Sequence, residues 1–352
     1  MSEKPRKAPV RERKGKSLIK SRNAATSSAA NIFIKLTFKE ALELFVNAKK
    51  AEGMRPRTIS DYYKHMEWFQ RFLSEFYPDV KTIQQLTADI IRRYINYLRD
   101  ERNPYAGNQA REKDTKGLAI NTINIRLRTL RAMCRFWTEE DYLVENPMAK
   151  IKPLRKDTID DMTGFTEKEL KALFSVLDTR QYSNFRDKVI MLLLLDTGIR
   201  INELVNVQIS HLDVKRLTLT IPAEIAKNRK SRTIPVSRKV MKLLLELHEE
   251  NKQYFEPTEF LFLTAYGDQM LADTFRRRLW KYAEEAGIER ATPHMFRHTF
   301  ARDYLLAGGD VFTLQLILDH ADIATTRRYV QMDENHVKEQ HQRFSPASKY
   351  LK

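Results

Sequence analysis

The chain has 352 residues, with 62 Lys and Arg against 46 Asp and Glu and a formal net charge of +16 at pH 7. That length exceeds what one hydrophobic core usually serves, so two domains are expected, and the lone cysteine, Cys134, excludes an internal disulfide framework and thiolate zinc sites. The most apolar run, Val189 to Leu195, falls far short of the roughly 20 residues that cross a bilayer, and the basic N-terminus leads into no signal-type apolar stretch. These features predict a cytoplasmic protein that leaves membranes aside and attracts polyanions, nucleic acid first.

Residues 1–36 are expected to be a flexible basic arm. Positions 1–30 hold nine Lys or Arg against two Glu and few large apolar side chains, too little surface to bury for independent folding. From Thr37 the pattern turns helical. Thr37 and Glu40 form a capping box, Leu42, Phe45, Val46 and Lys49 follow on successive turns, and Gly53 marks the stop. Three more stretches, 58–76, 87–101 and 121–143, repeat apolar residues at three- and four-residue spacing, so residues 37–147 read as a four-helix domain. In the last stretch Arg126, Arg128, Arg131 and Arg135 interleave with Ile123, Leu127, Leu130 and Cys134, a basic face suited to DNA phosphates. Cys134 itself reads as a small core residue.

Residues 148–163 contain proline and basic residues without periodicity and read as a linker. A second domain is expected over 164–333. Thr166 and Glu169 form another capping box, and the apolar helix through 189–195 ends at Gly198, a natural left-handed cap. "LTLTI" (217–221) and "RTIPV" (232–236) alternate like strands joined by the charged turn "AKNRKS", and helices are expected beyond them to about residue 330. The tail 334–352 has few large apolar residues, and Pro346 stops any helix begun near Glu334.

Polar residues cluster at the edges of these apolar elements. Arg200 follows Gly198 and stands one turn before Glu203; Lys227 sits in the hairpin turn; His294 and Arg297 lie one turn apart with His298 beside them; His320 closes an apolar segment; Tyr329 comes nine residues later. "TGIRINEL", "AKNRKSRTIPV", "HMFRHTFA" and "LDHADIATTRRYV" stand in the order and approximate spacing of the tyrosine recombinase (phage integrase) family, which the chain resembles over roughly 37–345.

The resemblance implies a mainly α fold with a small antiparallel β-sheet: a helical, SAM-like core-binding domain and a catalytic domain, clamping duplex DNA between them. It implies a site-specific DNA strand transferase of the bacterial cytoplasm in which Tyr329 is the nucleophile. Arg200, Arg297 and His320 then clamp the scissile phosphate, Lys227 is the general acid and His294 an acid/base. Glu203 and His298 occupy supporting positions, orienting Arg200 and bracing the helix. It further implies a homotetramer on two recombination sites, an accessory protein that sets direction, and a C-terminal tail that docks in trans through Val337 and Phe344. The chain shows no carboxylate cluster, HExxH or Walker motif, so neither a metal nor another cofactor is expected. Two positions depart from the family pattern: Asp319 and Asn228 stand where glycine is usual. The alternatives are a recombinase-derived DNA-binding regulator without turnover and a type IB topoisomerase-like enzyme.

Overall fold

A computed structural model describes residues 35–103, 116–155 and 164–320, together with 322, 323, 326, 329, 338 and 341–350. The chain divides into two compact units, Met1–Ile159 and Asp160–Lys352. All but the last two positions of the expected basic arm lie outside the described residues.

The first unit is built from α1 (Phe38–Ala51), α2 (Pro56–Phe76), α3 (Ala88–Asn96, continued by a wider turn over Tyr97–Glu101) and α4 (Ile120–Glu139). The start of α1 follows from local chemistry. Thr37 Oγ1 accepts from the Glu40 amide at 3.3 Å, and the Glu40 carboxylate accepts from the Thr37 amide at 2.9 Å. Helix α2 begins at Pro56, whose fixed φ and missing N–H suit the first helical turn. The apolar faces close on an aromatic core in which Tyr94 packs 4.9 Å from both Phe69 and Phe72, centroid to centroid. Trp137, fully buried, donates its indole N–H to the Ala41 carbonyl at 2.9 Å and so ties α4 to α1. Cys134 is a core residue here, its thiol pKa pushed up to about 12 by burial.

The expected linker begins later than its composition suggests. Met148 and Ile151 are buried in the core of the first unit, and the Asn124 amide exchanges two 2.9 Å hydrogen bonds with the backbone of Leu154. Proline and lysine disguised this segment, although Met148, Ile151 and Leu154, spaced three residues apart, turn toward the core.

The second unit is organised around α6 (Tyr182–Thr197), which follows α5 (Glu167–Ser175). The run Val189–Leu195 makes the second half of α6 apolar on every face, which suits a segment enclosed by neighbours; α8 (Arg238–Tyr254) and α10 (Pro293–Leu306) pack against the helix. It ends at Gly198, φ 61°, and a Cβ there would stand 2.6 Å from both Leu318 and Phe300 side chains. Glycine is therefore required twice, for the left-handed turn and for the close approach. The turn feeds the short helix α7 (Ile201–Leu204).

A three-stranded antiparallel sheet follows, in the order β1 (Leu212–Asp213), β2 (Thr218–Ile221), β3 (Arg232–Pro235), with Leu219 opposite Ile234 and Ile221 opposite Arg232. Strand β1 was not foreseen, since two residues are too few to show alternation. Helices α9 (Ala272–Glu285) and α11 (Val311–Leu318) complete the elements used below. In the tail, Phe344 is exposed and Val337 lies outside the described residues. Among the described residues no helix is long and apolar enough to cross a membrane.

Candidate active site

Three chain turns converge behind α6. The first is the Gly198 cap, which delivers Arg200 to the N-terminus of α7. The second is the β2–β3 turn with Lys227 and Asn228. The third is the left-handed end of α11 at Asp319 (φ 53°), which delivers His320. Helix α10 runs beneath them and contributes His294, Arg297 and His298.

Arg297 is the buried anchor, only 4% exposed. Its guanidinium donates to the Gly198 carbonyl at 2.7 Å and to the Leu318 carbonyl at 2.5 Å, the terminal acceptors of α6 and α11. Helix C-termini carry partial negative charge and unsatisfied carbonyls, so a cation there is favoured. Desolvation and then Arg200 pull its pKa down to about 10, opposed by Tyr329 and Glu203, and it remains charged at neutral pH.

Arg200 is half-enclosed. Its guanidinium donates to Glu203 Oε1 at 3.1 Å, to Asp319 Oδ2 at 3.3 Å and to the Asp319 carbonyl at 3.0 Å. Glu203, 1% exposed, also accepts from the Lys227 main-chain N–H at 3.1 Å and from Arg232 at 2.5 Å. Burial alone would raise the Glu203 pKa. The hydrogen bond and charge of Arg232, the Lys227 N–H and Arg200 outweigh it and hold the carboxyl below its usual range. Glu203 thus bonds both the Arg200 guanidinium and the main chain of the turn that carries Lys227.

Tyr329 meets two histidines. Its hydroxyl lies 2.8 Å from His298 Nδ1, and its ring stacks on His320 at 6.3 Å between centroids with an 8° interplanar angle. His320 Nδ1 is 2.9 Å from the hydroxyl of Thr326, which is fully buried and whose carbonyl accepts from the Tyr329 amide at 3.0 Å. Desolvation, then Arg297 and Arg200, pull the His320 pKa down to about 4, so the ring is neutral at neutral pH. His294 is likewise held below the usual histidine range, first by desolvation and then by Arg297, Arg276, Lys227 and Arg200. A depression of about 460 Å³ beside it is lined by Arg276, Arg290, Thr292, His294 and His298. A larger one, about 630 Å³, lies at Tyr182, Phe185, Glu250 and Tyr254. Chemistry rather than size selects the former, because only there do the clustered cations adjoin imidazoles.

All six residues expected to be catalytic therefore belong to one neighbourhood, and both supporting positions join it. His298 does more than brace its helix, since it contacts the Tyr329 hydroxyl directly. Three contributors have no role assigned from the sequence, although Asn228 is noted there as a departure from glycine. Arg232 shares the inward phase of β3 with Ile234 and Val236, a signal that the alternation itself carried. Thr326 and Asn228 could be found only by folding the chain. The basic face of α4 is narrower than expected. Arg126 is buried (6% exposed) with its guanidinium 4.0 Å over the Trp68 ring, and Arg131 turns inward to the Ile151 carbonyl. Only Arg128 and Arg135 are exposed. Arg126 stands three residues after Ile123 and four before Leu130, so the apolar stripe takes it inward.

A buried arginine anchored on two helix ends, a second arginine beside it and a tyrosine between two histidines thus lie together in the second unit. Residues 164–336 match the phage integrase family and residues 37–153 match the phage integrase SAM-like domain. Among similar proteins, tyrosine recombinase XerC of Staphylococcus carnosus (strain TM300) is 27% identical over 299 residues, 83% of this chain and 92% of the relative. XerC of Staphylococcus haemolyticus (strain JCSC1435) is 27% identical over 313 residues, 87% and 96% of the two chains. The fold is similar to that of the Tn1549 transposon integrase in complex with a circular intermediate DNA (TM-score 0.65, 21% identity, 86% of this chain and 99% of that one). It is also similar to a lambda integrase dimer bound to a COC′ core site (TM-score 0.64, 15% identity, 89% and 81%). The chain belongs to the phage integrase, or tyrosine recombinase, family and is by class a site-specific recombinase.

Proposed function

We propose that this chain cuts and rejoins duplex DNA through a 3′-phosphotyrosine intermediate, with Tyr329 as nucleophile. The observation that carries the reading is the setting of the Tyr329 hydroxyl, 2.8 Å from His298 Nδ1 and stacked against a neutral His320. A phenol of ordinary pKa is ionised to about one part in a thousand at pH 7, so forming phenolate costs on the order of 4 kcal/mol. An imidazole at hydrogen-bond distance and the nearby Arg297 cation offset that cost.

In the forward step the Tyr329 oxygen forms a bond to phosphorus while its proton passes to imidazole, and the P–O5′ bond breaks. The departing 5′ oxygen takes a proton from Lys227. Arg200 and Arg297 neutralise the non-bridging oxygens and the extra charge of the five-coordinate transition state. His320, with Nδ1 turned to Thr326, offers Nε2 to the same phosphate, and His294 supplies acid/base capacity on the same helix. Reversal by a second 5′-hydroxyl rejoins the strands. Both bonds are phosphodiesters, so the exchange runs without nucleotide hydrolysis.

Duplex DNA is the substrate that the +16 charge and the DNA-bound structural relatives support. On this reading the exposed Arg128 and Arg135 bind phosphates, and two-site exchange by a homotetramer completes the reaction. The test is a suicide duplex nicked next to the scissile bond. Wild type should accumulate a covalent adduct on a denaturing gel, and Tyr329→Phe should bind DNA normally yet give none. Adduct from the Phe variant would remove Tyr329 as nucleophile. No adduct from wild type would favour a DNA-binding regulator, and supercoil relaxation without partner exchange would favour topoisomerase-like activity.

A further inference from the structure

The two positions at which the sequence departs from its family's glycines, Asn228 and Asp319, lie 91 residues apart and meet in the site. The Asn228 side-chain amide donates to Asp319 Oδ2 at 2.9 Å and to the Asp319 carbonyl at 3.0 Å. The same two Asp319 oxygens accept from Arg200 at 3.3 and 3.0 Å, and Arg232 stands 3.7 Å from the carboxylate. Asp319 holds a left-handed backbone, φ 53° and ψ 52°, where glycine would be less strained. A non-glycine residue persists in such a conformation when its surroundings over-determine it, and those surroundings are the partners just named.

We propose that Asn228 and Asp319 form a cross-brace that positions the Lys227 turn against the Arg200 clamp. Lys227 is exposed at the tip of a ten-residue connection between β2 and β3, and its own amide is held by Glu203. Together with the buried Ala226 beside it, that bond seats one side of the turn. The adjacent Asn228 bonds add a second point of attachment on the segment that ends in His320. With both points fixed, the ammonium group stays in register with the phosphate held by Arg200. Asp319 and Asn228 touch no reacting atom; they are positioning residues that act through Lys227 and Arg200. Glycine at both positions would remove the Asn228 bonds and leave the Glu203 link.

The proposal rests on the strand-transfer reading, and its test separates the two. Cleavage rates are compared for wild type, Lys227→Ala, Asn228→Ala, Asp319→Gly and the last two combined. Each is measured on the nicked duplex and on the same duplex with sulfur replacing the bridging 5′ oxygen, a leaving group that needs no proton. Asn228→Ala and Asp319→Gly should each slow cleavage of the oxygen substrate by roughly tenfold, the size expected when one or two hydrogen bonds are removed. The double variant should be slowed by less than the product of the two single defects, because both remove the Asn228–Asp319 Oδ2 bond. On the sulfur substrate Asn228→Ala should recover to near the wild-type rate, as Lys227→Ala does. A merely structural defect would be equal on both substrates, and that result overturns the brace. So does a single variant as fast as wild type or faster on the oxygen substrate, which would make Asp319 a carboxylate that competes with the phosphate. Additive defects in the double variant also overturn it. Asp319→Gly relieves a left-handed backbone, so this variant keeps the comparison open if Asn228→Ala folds poorly. A wild-type enzyme that cleaves neither duplex fails the function itself, and the brace falls with it.

Discussion

The two units solve the problem of charge in opposite ways. In the helical unit charged groups are largely outside and pair along helix surfaces, as Arg71 with Glu67 and Arg135 with Glu139 do, while the interior is aromatic. Its buried arginine, Arg126, rests on the Trp68 ring rather than on a carboxylate. The second unit takes ions into its interior. Arg186 and Asp187 are 2% and 0% exposed, and Asp187 also receives Arg278; Glu203 and Arg297 are buried beside Arg200 and Arg232. Buried charges cost desolvation and are a poor source of stability. On the proposed strand-transfer reading, the ions around Glu203 hold the Arg200 guanidinium in one place before a phosphate arrives.

That contrast can be broken from either side. The largest effect after loss of Tyr329, the proposed nucleophile, belongs to the helical core. Trp137→Ala should destabilise the first unit by about 3–5 kcal/mol, through a cavity in the core and loss of the indole hydrogen bond to the Ala41 carbonyl. Denaturant unfolding followed by fluorescence should show an earlier transition; an unchanged midpoint would mean that the core tolerates the cavity. Arg200→Ala and Arg297→Ala should each lower cleavage by roughly 10²–10³-fold, as when one transition-state donor is removed. Single-turnover assays on the nicked duplex measure this, and a decrease below tenfold would place the clamp elsewhere.

Smaller effects sharpen the comparison. His320 titrates near 4 in the folded state and near the ordinary 6.5 when unfolded, so its folded form resists protonation. Its contribution is fully present above about pH 6.5 and is lost as pH falls toward 4, because the unfolded chain takes up the proton first. Thermal melts of wild type should therefore fall over that window more steeply than those of His320→Gln; parallel curves would contradict the buried neutral ring. The smallest change belongs to the surface. Arg128→Ala with Arg135→Ala should weaken binding to all duplex sequences alike and reduce the slope of log affinity against log salt by about one for each phosphate left without its arginine. Binding isotherms at several salt concentrations provide the check, and an unchanged slope would remove this face from the DNA interface.

Much of this was legible in the chain because it is decided locally. The capping boxes at Thr37 and Thr166 and the cap at Gly198 are set by hydrogen bonds and backbone angles within one turn. The apolar periods placed the helices, and the ordered motifs named Arg200, Lys227, His294, Arg297, His320 and Tyr329 as one set. The rest depended on which faces the finished core conceals and which distant turns it brings together. Periodicity put Arg126 on the apolar stripe, and Trp68, on another helix, gave its charge a partner there. Asn228 and Asp319 look like two unrelated departures from glycine until α6, the sheet and α11 are packed. Their hydrogen bond spans 91 residues, and no local preference reaches that far.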